Sequence, residues 1–132
     1  MQPPNTLTTL RILVVEDSRD AADSLGLLFG LWGHEAVVVY DGPGALDAAA
    51  AHSPDVIFLD IGLPGMDGYE VARQLRRQPR LVKTLLVAIT GYGRAADVQC
   101  CKEAGIDYHF LKPVDPDVLK QLLAKVEKHH ED

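Results

Sequence analysis

Five residues from four separate places in the chain have types that belong together chemically: Glu16, Asp17, Asp60, Thr90 and Lys112. Carboxylates gathered in one place repel unless a cation sits among them, and hard oxygen ligands select Mg²⁺ or a similar divalent ion. The backbone carbonyl of Gly62, in the turn "GLPG" after Asp60, could complete such a metal sphere. A cation there lowers the repulsion met by an incoming phosphoryl group, leaving one carboxylate to act as nucleophile and form an acyl phosphate. Lys112 can pair with the phosphoryl oxygens and Thr90 can donate a hydrogen bond to them. The chemistry this set suits is phosphoryl transfer to a carboxylate.

Each residue alone has a plainer explanation. A Glu-Asp pair at a helix start is often only a cap and a match to the helix dipole. What matters is that every one of the five stands at the end of an apolar run. Those runs are "RILVV" (11–15), "EAVVVY" (35–40), "DVIFLD" (55–60), "TLLVAIT" (84–90) and "DYHFLK" (107–112). They alternate with segments of helical period at 18–32, 43–52, 67–77, 94–104 and 115–128. The first of these carries Leu25, Leu28, Phe29 and Trp32 on one face, and the last carries Val118, Leu119, Leu122, Leu123 and Val126. Five strand-helix repeats predict an α/β fold with a parallel sheet covered on both faces. Runs 1, 3 and 4 have the composition of central strands, and run 2, flanked by Glu35 and Asp41, that of an edge. In such sheets ligands bind beyond the carboxyl ends of the strands. That is where all five residues fall.

The 132 residues fit one domain able to bury its own core. No apolar run approaches the ~18 residues of a membrane span, and "MQPPNTLTTL" lacks the basic start and apolar block of a secretion signal, so a cytoplasmic location is expected. A net charge of −6 disfavours gripping nucleic acid through its phosphates and favours a protein partner or small ligand. Cys100 and Cys101 are adjacent, point to different helix faces and form neither a disulfide framework nor a zinc spacing. His34, His52, His129 and His130 show no metal spacing and are expected to be solvated. Ser18, Ser53 and Asp67 read as caps or turn residues.

Four motifs in order, "VVEDS", "IFLDIGLPGMDGYE", "AITGYG" and "FLKPVD", resemble the receiver domain of two-component response regulators over residues 10–128. "YHFLKPVD" is most similar to receivers associated with hybrid sensor histidine kinases. The resemblance implies a (βα)5 flavodoxin-like fold with strand order 2-1-3-4-5, flanked by tails at 1–9, disordered, and 129–132. It implies that Asp60 accepts a phosphoryl group from a phosphohistidine on a sensor kinase or a phosphotransfer protein. Asp17 matches a direct Mg²⁺ ligand and Glu16 an acid reaching the metal through water. Lys112 matches the lysine that contacts the phosphoryl group, Pro113 the proline that follows it through a cis bond, and Thr90 the switch hydroxyl. A downstream protein partner would read the result, and the domain would catalyse only its own phosphorylation and dephosphorylation.

Three positions depart from the usual pattern or modulate it. His109 stands where the family has an aromatic switch residue, and it reads equally as a switching ring or a static, partly exposed one. Gly62 opens the site, and Tyr92 would partly cover it. Two other functions share part of this layout. A flavodoxin-like carrier needs a phosphate-binding loop after strand 1, where two acids stand here, and an aspartyl-phosphate phosphatase needs a D-x-D pair and a cap domain. A degenerate receiver, serving only as an interaction surface, is the remaining alternative.

Overall fold

Residues 12–15, 56–59 and 86–89 are apolar without a break, which leaves neither face of such a strand suited to water. In the computed structural model they form the three central strands of a five-stranded parallel sheet ordered β2-β1-β3-β4-β5. The structure describes residues 9–62, 67–91 and 98–131, with side chains described as far as residue 127 but not at 98. Along the chain run β1 (Arg11–Val15), α1 (Arg19–Leu31), β2 (Glu35–Val39), α2 (Gly42–His52), β3 (Val56–Asp60) and α3 (Gly68–Arg76). A 3-10 turn (Pro79–Leu81) precedes β4 (Leu85–Thr90), α4 (Val98–Ala104), β5 (Tyr108–Leu111) and α5 (Pro116–Glu131). The expected order of strands is therefore found, with β2 at an edge.

Alternation along the central strands divides the core into two layers. Leu13, Val15, Ile57, Leu59, Leu86 and Ala88 face α2, α3 and α4. Ile12, Val14, Val56, Phe58, Val87 and Ile89 face α1 and α5. Phe29 of α1 stacks on Phe58, ring centroids 5.0 Å apart, at the centre of the second layer. On the first, Ala45 and Ala49 bring α2 close to the sheet because they carry so little bulk.

Helix starts follow local chemistry. The Ser18 hydroxyl accepts from the Ala21 N–H, and Asp41 and Asp67 accept from the N–H groups of Gly44 and Tyr69 at 2.7 and 2.9 Å. Ser53 takes the left-handed conformation that ends α2, φ 46°. Two features differ from the sequence reading. Helix α5 runs on to Glu131, three residues past its predicted end. His34, expected in solvent, is buried: its ring packs between the residue leading into β1 and helix α5, where it replaces water with two protein partners. The predicted start of the fourth helix, at 94–97, and Tyr92 lie outside the described residues.

Opposite the carboxyl edge, Arg76 ties the sheet's other end together. Its guanidinium donates to the carbonyls of Leu81 and Thr84 and to the Asp107 carboxylate at 2.7–2.8 Å, and its Nε donates to the Gly105 carbonyl at 2.8 Å. Four acceptors at one fork fix α3 against the loops that open β4 and β5.

Candidate phosphoacceptor site

Parallel pairing sets the strand ends side by side. Val15 is level with Leu59, Asp60 with Ile89, and Thr90 with Leu111, so Glu16, Asp60, Thr90 and Lys112 emerge along one edge. The ladder holds each at its root: Glu16 N–H donates to the Val39 carbonyl, Ile61 N–H to Ile89, and Lys112 N–H to Thr90. Glu16 and Asp60 are both buried, 3% and 6% exposed, whereas Asp17 is exposed. Carboxylate oxygens of all three lie within 4.8 Å of one another.

Lys112 is the cation that makes this tolerable. Its Nζ contacts Glu16 Oε1 and lies 3.3 Å from Asp60 Oδ2. The Gly62 N–H donates to Asp60 Oδ1 at 2.8 Å, orienting the carboxylate. Among the described residues, one buried side-chain polar atom has no hydrogen-bond partner: Glu16 Oε2. Burial pushes the Glu16 carboxyl up to about 7, and the neighbouring Asp60 pushes the same way against the pull of Lys112. At Asp60 burial also favours the neutral form, but it is outweighed by the neighbouring Glu16, by the hydrogen bond from the Gly62 N–H and by Lys112, which hold this carboxyl below its usual range. Burial works against the charge on Lys112 as well, and the two acids more than offset it, raising the amine above its usual range. Glu16 thus keeps a proton more readily than Asp60, and Asp60 is the more readily ionised of the pair.

Thr90 is fully buried and its hydroxyl donates to the Phe110 carbonyl on β5 at a long 3.5 Å. His109 is exposed on β5, level with Ala88. The Lys112–Pro113 bond is cis. Beside the acids a cleft of about 520 Å³ runs between α1 and the turn after β5, walled by Leu25, Phe58, Ile89 and Val114, with Asp60 and Lys112 at its polar end. Gly68 was missed in the sequence. It is buried at the first turn of α3, where a Cβ would run into the backbone of Ile61, the residue after Asp60. The available signal was a glycine directly behind the cap Asp67.

The family model of the response regulator receiver domain matches residues 12–124. The chain belongs to the response regulator receiver family. This receiver is 38% identical over 120 residues to the sensor histidine kinase RcsC of Salmonella typhimurium, covering 87% of this chain and 12% of that one. It is 30% identical over 115 residues to sporulation initiation phosphotransferase F of Bacillus subtilis, covering 87% and 91% of the two chains. Against other curated relatives, at 37% identity, it spans about half their length, 49%. Among solved structures, the receiver domain of sensor histidine kinase PA1611 from Pseudomonas aeruginosa superposes with a TM-score of 0.80 at 26% identity, covering 92% of this receiver and 99% of that chain. That structure has a magnesium ion coordinated in its active-site cleft. The receiver is thus a module of two-component phosphorelay signalling, and among its described residues no helix is long and apolar enough to cross a membrane.

Proposed function

We propose that this receiver takes a phosphoryl group onto Asp60 from a phosphohistidine of a sensor histidine kinase or phosphotransfer protein, and that the acyl phosphate switches its binding to a downstream protein. The observation that carries the reading is the ionised, buried Asp60 held between Gly62 and Lys112 at the open edge of the sheet. An Asp60 oxygen attacks phosphorus as the phosphorus–nitrogen bond to the donor imidazole breaks, and the electron pair returns to that ring.

A divalent cation fits this site. The donor set is three carboxylates, and the buried, unpartnered Glu16 Oε2 is an acceptor that a cation would satisfy. Glu16, Asp17 and Asp60, with the Gly62 carbonyl, would hold Mg²⁺, as the relative PA1611 holds magnesium in its own cleft. When bound, the ion neutralises charge on the phosphoryl oxygens. Lys112 then moves from the Asp60 carboxylate to a phosphoryl oxygen and stabilises transition state and product alike. Thr90 rotates its hydroxyl from the Phe110 carbonyl toward the phosphoryl group. That rotation loosens β4 from β5 and gives the β4–α4–β5–α5 side a second arrangement, which His109 on the exposed β5 follows. Phosphorylation in this account biases two arrangements that already exist. Residues 10–128 form the working unit, acting in the cytoplasm, and its catalysis is confined to its own phosphoryl group.

Incubation with a small acyl-phosphate donor and Mg²⁺ tests this by intact mass. Wild type is expected to gain one phosphoryl group and Asp60→Asn none. Equal gain by both, or gain by neither, contradicts the assignment, and the latter would leave an interaction module that works without phosphorylation.

A further inference from the structure

His34 lies in the turn between α1 and β2, with its ring buried. Its own N–H donates to the Phe29 carbonyl at 3.0 Å, fixing the turn. Its Nδ1 accepts the backbone N–H of Leu10, just ahead of β1, at 3.1 Å. Its Nε2 stands 3.4 Å from Oε1 of Glu127 on α5. A donor opposite Nδ1 and an acceptor opposite Nε2 suit one form of the ring, the neutral tautomer with its proton on Nε2. Leu10 is 0% exposed, so its N–H has no water to turn to if the ring stops accepting.

We propose that His34 is a proton-operated latch joining the segment that leads into β1 to helix α5, closed when the ring is neutral and opened at Leu10 by proton uptake. The second proton can go only to Nδ1, where it meets the Leu10 N–H donor to donor. On the other side the imidazolium keeps its attraction to Glu127, so the break falls between ring and β1 while ring and α5 stay together. Among the described residues, the neighbouring elements also carry Lys120 of α5, poised 5.5 Å from the Trp32 ring centroid, and the surface pair Arg11 and Glu35 on β1 and β2, 3.7 Å apart. Burial lowers the His34 pKa, and the opposing pull of Glu127 does not cancel it. The folded chain therefore binds this proton more weakly than the unfolded chain. The stability tied to the latch is complete above about pH 6.5 and is lost as the pH falls through that value toward the folded pKa.

Heteronuclear NMR of the whole chain tests the latch. At pH 7.5 the His34 ring is expected as the Nε2–H tautomer, and between pH 7.5 and 5.5 the Leu10 amide should lose protection beyond the intrinsic change in exchange rate. Below about pH 6.5 the unfolding constant should rise by up to tenfold per pH unit more in wild type than in His34→Gln, which keeps an acceptor and a donor but does not titrate. An Nδ1–H tautomer, an unchanged Leu10 amide, or the same pH slope in the variant would overturn the proposal. If His34→Gln does not fold, the wild-type tautomer and the Leu10 amide decide the matter alone.

Discussion

A carboxylate buried at the end of an apolar strand ought to take up a proton, yet Asp60 is held on the ionised side by the Gly62 N–H, Glu16 and Lys112. Glu16 bears the burden instead, with a carboxyl raised to about 7. A cation needs that carboxyl ionised, so Mg²⁺ affinity should weaken as the pH drops through 7, by roughly tenfold per pH unit below it. Titrations of Mg²⁺ followed by thermal shift at pH 8 and pH 6 check this, and the higher pH should show the larger stabilisation at equal metal. Lys112→Ala should slow phosphoryl uptake about 10²–10³-fold while Mg²⁺ still binds, read from the rate of mass gain with a small phosphodonor. The residues named here were legible because their types are costly at strand ends without a shared purpose. His34 was not, because the meaning of its ring depends on Leu10 and Glu127, which no local pattern connects to it.

Elements were legible to the extent that their periodicity was. Uninterrupted apolar runs identified the central strands, and the apolar faces of residues 18–32 and 115–128 identified α1 and α5, whereas the 3-10 turn Pro79–Leu81 carries no period to detect. Its place is fixed by tertiary contact, since the Leu81 carbonyl accepts from Arg76. Arg76→Ala should leave carbonyls of Leu81, Thr84 and Gly105 short of a donor and cost about 2–4 kcal/mol of stability, measured by urea denaturation. The site lies at the other end of the sheet, so phosphoryl uptake by the folded fraction should change little. Gly68→Ala has a different profile. Its Cβ would displace Ile61, next to the proposed acceptor Asp60, so the rate of phosphoryl uptake should fall along with stability. A variant phosphorylated at the wild-type rate would show that Ile61 tolerates the shift.

On the scale of the whole molecule, two core layers grip one sheet, and the sheet's carboxyl edge carries the acidic cluster. The stack of Phe29 on Phe58 roots β3 beneath Asp60, which gives the proposed acceptor a rigid base. Against a chain charge of −6, an anionic donor would rely on local compensation by Lys112 and the cation the acids would hold. The central claim is that the acceptor is Asp60 and no other acid. It is tested most directly by phosphorylating the protein in Mg²⁺, reducing the acyl phosphate with borohydride and mapping the product by peptide mass spectrometry. The account predicts reduction of residue 60 to homoserine, with Glu16 and Asp17 intact. Homoserine at position 17, its homologue at 16, or no reduced residue in a protein that has gained phosphoryl mass would contradict it.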